Sequence, residues 1–335
     1  MIERMYAEYA WEKTQTLLSI DSPSGYTAKA ATWVRDAFAE LGFDAHITTK
    51  GGVVIDLGGE NKNDGLLLEA HADTLGAMVA TIKGNGRLKM TGLGGMNPNN
   101  AEAENCRIVT RFDGTYQGTF QLNNASLHVN ADYNDTKRKY ADMEVVLDEV
   151  VSSKEDTEKL GIMVGDIVCF DPRTTVTEKG YIKSRFLDDK LSVGTLLGYA
   201  KYLKENNIEP ENRQYHYITV YEEVGHGGCF IPEDTEEMLS VDMGCVGADL
   251  ECTERQVSIC AKDSGGPYNY DVTSALVRTA KENNVDFAID VYPHYGSDVE
   301  ATLKSGYDIR HGLIGPGVYA SHNYERSHVD GVKNT

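Results

Sequence analysis

Cysteine is sparse in this chain of 335 residues, and its spacing matches no common metal or redox motif. The six cysteines are scattered, and no two of them stand in a Cys-x-x-Cys arrangement. Zinc fingers and thioredoxin-like redox centres are therefore unsupported. Reduced thiols are the simplest interpretation, and they predict a cytoplasmic protein.

Long apolar runs and basic residues are also scarce. No stretch is long and apolar enough to cross a bilayer, and the first ten residues contain acids and lack the apolar core of a secretion signal. The 32 basic residues face 52 acidic ones, which gives a formal net charge of −20. We therefore expect neither nucleic acid nor an anionic membrane as a partner.

Helix and strand patterns alternate near both ends of the chain. Apolar residues at helical spacing predict a helix over 27–41, and a short apolar run predicts a strand over 66–70. Further on, the pattern predicts a helix over 189–205 and a strand that starts at Tyr215. This alternation is typical of an α/β domain.

The middle of the chain has a different character. Short predicted strands, one of them Ser126–Val129, alternate with turns rich in Gly, Asn and Asp. One helical stretch lies near residues 154–160. A chain of this length accommodates about two domains. We predict an α/β domain formed by residues 1–76 and 184–335, with a small β-barrel or sandwich inserted at 77–183.

Two adjacent carboxylates, Glu222 and Glu223, follow the strand that starts at Tyr215, and a glycine-rich turn follows them. Ligands of open α/β sheets lie at that end of a strand. A buried pair of carboxylates needs a cation or a shared proton, so that one can bind a metal while the other serves as a general base. Taken alone, the pair would be an exposed acidic turn.

A second candidate motif pairs a histidine with an acid: His71-x-Asp73, which also follows a predicted strand. A histidine that binds a metal needs a partner on its other ring nitrogen, and Asp73 is close enough in sequence to provide one. Asp188 and Asp189 precede a predicted helix. Helix capping accounts for Asp189, and it leaves Asp188 free to point into a site.

Asp242 and His322 complete the candidates. Asp242 follows a short strand, where an Asx turn is the alternative, and His322 lies in a polar stretch where an isolated histidine is usually solvated or packed. The other seven histidines are assigned no chemistry, with His226 and His294 as the nearest to exceptions.

Taken together, these candidates form a metal-binding set. The order is His, Asp, Glu-Glu, Asp and His, each at a strand end or a helix start. Two histidines and three carboxylates suit a pair of divalent ions such as zinc, cobalt or manganese. One of these three carboxylates would bridge the two ions, and the fourth carboxylate of the set would act as a base.

The set resembles the M42 family of dinuclear metalloaminopeptidases. The resemblance covers essentially the whole chain and is carried by the motifs His71-x-Asp73, Leu187-Asp188-Asp189-Lys190, Glu222-Glu223-x-Gly225, Val241-Asp242 and His322, together with Ser22-Pro23-Ser24-Gly25 and Leu160-Gly161-x-x-x-Gly165-Asp166. The related M20 peptidases share the ligand order but carry their extra domain in the later gap. Here 117 positions separate the first histidine from the bridging Asp, which resembles M42.

The resemblance implies a role for each candidate residue. His71, Asp188 and Asp242 would bind one ion. The second ion would be bound by Asp188, Glu223 and His322. Of the remaining two residues, Glu222 would be the general base and Asp73 would orient His71.

The resemblance also implies an architecture and a reaction. The fold would be a zinc-peptidase-like three-layer α/β/α catalytic domain with an inserted β-barrel that forms dimers. These dimers would build a hollow dodecamer that admits short peptides. Each subunit would hold two divalent ions, zinc or cobalt with manganese as an alternative, and would remove the N-terminal residue from oligopeptides.

Three rival functions remain open at this point. An M20-like dipeptidase or N-deacylase would share the ligands, and only the aminopeptidase would demand a free α-amine. A non-catalytic peptide-binding or assembly protein would have no need of an unliganded Glu222. A glycoside hydrolase also uses paired carboxylates, but the two histidines would then be unexplained.

Overall fold

The computed structural model describes residues 2–335. Among these residues the helices are α1 Ile2–Leu18, α2 Ala28–Glu40, α3 Pro98–Ala101, α4 Lys154–Lys159, α5 Leu187–Asn206, α6 Tyr270–Glu282, α7 Asp298–Lys304 and α8 Val329–Asn334, with 3-10 turns at Tyr140–Asp142 and Glu222–Val224. The strands are β1 Asp44–Ile47, β2 Val53–Gly58, β3 Asn61–His71, β4 Gly76–Ile82, β5 Leu88–Leu93, β6 Asn105–Val109, β7 Thr115–Leu122, β8 Met143–Leu147, β9 Ile167–Phe170, β10 Thr175–Val176, β11 Tyr181–Ser184, β12 Asn212–Thr219, β13 Thr235–Val241, β14 Gly244–Val246, β15 Val257–Asp263, β16 Gly266–Pro267, β17 Phe287–Val291, β18 Arg310–Tyr319 and β19 Glu325–His328.

The chain divides into two compact units. One unit comprises residues 1–74 and 173–335, and the other comprises residues 75–172. The second boundary lies at Pro172 rather than at residue 183, where the sequence pattern placed it. The reason is that β11 pairs with β19 in the larger unit, so the β-rich stretch before α5 does not belong wholly to the insert.

The centre of the larger unit is a mixed sheet in the order β1-β2-β12-β3-β13-β18-β19-β11-β10. Within it β12, β3, β13 and β18 are mutually parallel neighbours. Parallel neighbours point their carboxyl ends toward the same edge of a sheet, and in this fold class that edge is where ligands bind.

Both faces of this sheet are covered, and alternate residues of the central strands enter opposite cores. On β12, Ile218 packs into a core with residues of α2 and α5, whereas Tyr215 and Tyr217 pack into the core on the other face. Leu68 and Leu67 of β3 divide in the same way. Burial on both faces explains why these strands read as continuous apolar runs in the sequence.

The smaller unit contains a closed barrel of six strands in the order β4-β5-β8-β7-β6-β9, in which β4 pairs back to β9. The mixed α/β class with an inserted β-barrel is therefore confirmed. The strand expected at Ser126–Val129 is wrong, because these residues form turns, and Leu127 and Val129 are exposed. Of the helices in residues 2–335, none combines the length and apolarity of a membrane span.

Candidate metal centre

The predicted site residues converge on one edge of the sheet. His71 is the last residue of β3, and the sheet register sets it beside Thr219, the last residue of β12. Glu222 follows β12 in a 3-10 turn, and Asp242 follows β13 directly. His322 follows β18, the fourth of the parallel strands. The parallel order of the strands thus brings together residues that are far apart in sequence.

Asp188 lies between the two histidines. Its Oδ1 is 3.1 Å from Nε2 of His71, and its Oδ2 is 3.4 Å from Nε2 of His322. The hydroxyl of Ser321 also donates to Oδ2 at 3.0 Å. Because the two oxygens face different histidines, the geometry suits a carboxylate that bridges two cations.

The ring of His71 is held from its other side. Its Nδ1 lies 2.9 Å from the backbone carbonyl oxygen of Asp73 and 3.6 Å from the Asp73 carboxylate. A hydrogen bond to a carbonyl requires a proton on Nδ1, which leaves the Nε2 lone pair free for a metal. Asp73 thus contacts His71 mainly through its backbone.

The carboxylate of Asp73 has a different set of partners. It accepts a hydrogen bond from the Ser24 hydroxyl at 2.5 Å and another from the backbone N–H of Glu222 at 3.1 Å. Asp73 is completely buried. Its side chain therefore fixes the start of the turn that carries the Glu222–Glu223 pair.

Glu222 and Glu223 differ in exposure. The Glu222 side chain is 15% exposed, and one of its oxygens lies 3.7 Å from Nε2 of His71. The Glu223 side chain is only 4% exposed and lies 3.6 Å from Nε2 of His322. Glu223 is thus the better placed of the two to hold a cation beside His322, and Glu222 is the more accessible to a substrate.

Asp189 is a site residue that the sequence interpretation assigned to helix capping. Its backbone angles, like those of Asp188, are not helical, and its peptide bond to Asp188 is cis. The side chain is fully buried, and its Oδ2 accepts the backbone N–H of His71 at 3.3 Å. No sequence signal separates this Asp from an ordinary cap, because both occur in the first turn of a helix.

The donor set fits divalent cations. Potential ligand atoms within 4.8 Å of one another come from His71, Asp189 and Asp242 in one group and from His71, Asp188 and Glu223 in another. Oε1 of Glu223 is buried without a hydrogen-bond partner among residues 2–335. Buried carboxylate oxygens need a partner, and a cation would provide one.

The electrostatics of the cluster point in the same direction. Burial raises the pKa values of Glu222 and Glu223 well above the usual carboxyl range. Burial together with the charge of Asp188 raises the pKa of Asp242 to about 7. Burial opposes protonation of His322, but its hydrogen bond to Asp188 and nearby carboxylate charges prevail and raise its pKa to about 10. A divalent cation would favour ionised carboxylates and neutral imidazoles instead.

A cavity of about 720 Å³ opens beside the cluster. Asp188, Glu222, Glu223, Asp242 and His322 line one part of it. The remaining wall combines apolar and polar side chains, among them Met243, Cys245, Ser264, His294, Tyr295, Glu300, Ala301 and Lys304. Of the two histidines named as near exceptions, His294 lines this cavity but belongs to neither group of potential metal ligands. The ring of His226 stacks on that of Tyr221, with the ring centroids 5.0 Å apart.

Comparison with known proteins identifies the class. The profile of the peptidase family M42, described as M42 glutamyl aminopeptidase, matches residues 51–335. The chain belongs to this family of metal-dependent aminopeptidases. It is 43% identical over 325 residues to YhfE of Bacillus subtilis (strain 168), a protein named for a proposed aminopeptidase activity, and the match covers 97% of this chain and 94% of YhfE.

Solved structures share the fold. A TET aminopeptidase from Thaumarchaeota archaeon SCGC AB-539-E09 superposes with a TM-score of 0.87 at 18% identity, covering 98% of this chain and 94% of that one. The TET1 peptidase of Pyrococcus horikoshii superposes with a TM-score of 0.84 at 21% identity, covering 97% and 96%. That TET1 peptidase is described as able to assemble into a tetrahedron or a large octahedral shell.

Proposed function

We propose that this aminopeptidase removes N-terminal residues from oligopeptides at a centre that holds two divalent ions. The observation that carries the proposal is the position of Asp188, whose two oxygens face His71 and His322 separately. His71, Asp188 and Asp242 would hold one ion. Asp188, Glu223 and His322 would hold the other.

Two bound divalent ions would lower the pKa of water and polarise a carbonyl group in this site. Zinc and cobalt fit the mixed nitrogen and oxygen donors, with manganese as an alternative. The residues of the chain supply what remains: positioning, proton transfer and recognition of the substrate.

Glu222 is the proposed general base. It lines the cavity and retains partial exposure, and its backbone is held by the buried carboxylate of Asp73. Glu222 would take the proton of the attacking water and deliver it to the leaving amine, so that one carboxyl group acts first as general base and then as general acid. A general base needs a fixed position. The hydrogen bond from Ser24 holds the Asp73 carboxylate, which in turn holds the backbone of Glu222.

The substrate's free α-amine would be recognised by carboxylates at the cavity wall. An N-deacylase related to the M20 peptidases would accept a blocked amine, so free and N-acetylated versions of one peptide distinguish the two functions. The test is a panel of aminoacyl chromogenic substrates supplied to stripped protein with zinc, cobalt or manganese. Hydrolysis of the acetylated substrates in preference to the free ones would contradict the proposal.

We also propose that the protein is a homo-oligomer built from dimers, with a dodecamer as the expected form. The closed barrel has no open strand edge, so edge pairing does not explain how the insert would form dimers. Exposed apolar side chains support the role instead: Phe112 is 81% exposed, and Leu127, Val129, Val150 and Val164 are also exposed. An enclosed assembly would admit short peptides and exclude folded proteins.

A further inference from the structure

Glu325 is a buried carboxylate that the proposed chemistry does not use. It opens β19 three residues after His322 and is 2% exposed. Its Oε1 accepts the backbone N–H of His322 at 3.0 Å, and its Oε2 accepts the backbone N–H of Asp188 at 3.1 Å. One side chain therefore joins two proposed metal ligands, Asp188 and His322, that lie far apart in the sequence.

The backbone at His322 needs a hydrogen bond of this kind to hold its conformation. His322 has a φ of +62° and Ala320 a φ of +59°, a region that residues with a Cβ enter only when their surroundings hold them there. The turn is closed by a hydrogen bond from Asn323 N–H to the Ala320 carbonyl at 3.0 Å. The hydrogen bond from His322 N–H to Glu325 connects this turn to β19.

The same carboxylate controls the position of Asp188. The backbone of Asp188 departs from the helix that follows it, so intrahelical hydrogen bonds do not fix it. Its amide is held by Glu325, while its carboxylate reaches His71 on one side and His322 on the other. A shift of either backbone would alter the separation between Asp188 Oδ2 and His322 Nε2, which is 3.4 Å.

We propose that Glu325 is a positioning residue that fixes the backbones of Asp188 and His322 relative to each other. It thereby sets the affinity for the ion that these two residues would hold with Glu223. Both of its oxygens are engaged by amides, so Glu325 acts through the ligands and not as one of them. The inference rests on the proposed function for the assignment of Asp188 and His322 as ligands.

A purely structural role is the alternative, and metal binding separates the two. If Glu325 only stabilised the fold, a folded variant would bind zinc as the wild type does. If it positions the ligands, a folded variant loses affinity for one of two ions. Partners of metal ligands typically contribute about 10–100-fold to affinity.

The test is Glu325→Gln, with Glu254→Gln as the matched control. The first substitution keeps the size of the side chain but presents an NH2 group to one of the two amides. Glu254 is also a hydrogen-bonded carboxylate beside β19, since it accepts a hydrogen bond from Arg326 at 2.9 Å, and Arg326 is not a proposed ligand. Stripped protein, checked for folding by circular dichroism, is titrated with zinc against a chelating dye.

We expect Glu325→Gln to bind one zinc ion about 10–100-fold more weakly and the other normally, while Glu254→Gln binds both as the wild type does. At saturating zinc, kcat should recover, because no group that touches the substrate has been removed. Glu325→Asp keeps the charge but is one methylene shorter, so it should also weaken binding. Wild-type affinity for both ions in folded Glu325→Gln would overturn the inference.

Three further outcomes are decisive. If Glu325→Gln does not fold, hydrogen exchange of stripped wild-type protein decides: the inference expects protected amides at Asp188 and His322, and exchange of both at the rate of an exposed loop would overturn it. A wild type that binds two ions but hydrolyses no peptide would contradict the proposed function alone. A wild type that binds fewer than two ions would overturn both the proposed two-ion centre and the inference.

Discussion

At the residue scale, the proposed division of roles between Glu222 and Glu223 rests on their surroundings. The two side chains are chemically identical and adjacent, yet the Glu223 side chain is 4% exposed and lies beside His322, whereas the Glu222 side chain is 15% exposed and lies nearer His71. The buried member has an oxygen without a hydrogen-bond partner. We therefore propose that Glu223 binds metal and that Glu222 transfers the proton.

Changing Glu222 to Gln tests this assignment. The variant keeps the size of the side chain and removes the base, so we expect kcat to fall by about 10²–10⁴-fold with both metal ions retained. The control is Glu223→Gln, which should lose metal. Steady-state kinetics and elemental analysis of both proteins measure the difference, and loss of metal from Glu222→Gln alone would exchange the two roles.

Asp188 and Asp189 offer a second matched pair. Asp188→Asn removes the carboxylate that faces both histidines, so we expect fewer than two ions per chain. Asp189→Asn can still accept the hydrogen bond from the His71 amide, so we expect two ions per chain. Metal content measured on purified, reloaded protein tests the pair. The reverse pattern would make Asp189 the ligand that Asp188 was predicted to be.

At the element scale, β12 carries an unusual buried group. His216 is fully buried between the rings of Phe38 and Tyr199, and neither ring nitrogen has a hydrogen-bond partner within the described residues. Burial lowers the pKa of His216 to about 3. The folded protein thus keeps the ring neutral at a pH where the unfolded chain would protonate it.

This predicts a pH-dependent stability difference between the wild type and His216→Leu. A lowered pKa contributes stability that is present above the unfolded value of about 6.5 and is lost as the pH falls toward the folded value. Between pH 7.5 and 5.5, the free energy of unfolding of the wild type should fall relative to the variant by about 1.4 kcal/mol. Urea unfolding of both proteins at the two pH values measures this. A difference that does not change with pH would mean that the buried ring is protonated or finds a partner.

Elements that surround the site were predicted unevenly from the sequence. The strand ends that carry His71 and Asp242 have apolar runs that mark them, and the structure has strands there. β18 was missed because three glycines and a proline give it the composition of a loop. The structure explains one of these glycines: a Cβ at Gly315 would lie 1.5 Å from the carbonyl oxygen of Asp242, so only glycine allows β18 to approach the residue that follows β13 this closely.

The candidate site shows the same division. Residues at strand ends could be predicted because the parallel order of the strands follows from the βα alternation. The contribution of Asp189 could not, because its backbone leaves the helix that its sequence suggests. Glu325 acts through two backbone amides, and such a contact leaves no mark in the sequence beyond its spacing from His322.

At the scale of the whole molecule, the barrel unit contributes none of the proposed ligands and exposes apolar side chains. A monomer gains nothing from an exposed Phe112, whereas an interface between copies would bury it. Light scattering on the purified protein should give a mass well above that of two chains. A monomer mass with full peptidase activity would end the oligomer proposal and leave the active-site assignment intact.

A charge at the barrel surface tests the location of that interface. Phe112→Asp should lower the mass in light scattering while hydrolysis of a small aminoacyl substrate persists, because the larger unit, which holds the proposed ligands, is unchanged. Tyr270→Asp is the control, since Tyr270 is similarly exposed but lies in the larger unit. An unchanged mass for Phe112→Asp would place the contact elsewhere.

The most direct test of a two-ion aminopeptidase is a titration of stripped protein with zinc or cobalt. Hydrolysis of a free-amine peptide should be absent without metal, should rise as metal is added, and should level off at two ions per chain. The N-acetylated peptide should remain intact throughout. Full activity in stripped protein, or activity that levels off at one ion per chain, would contradict the account.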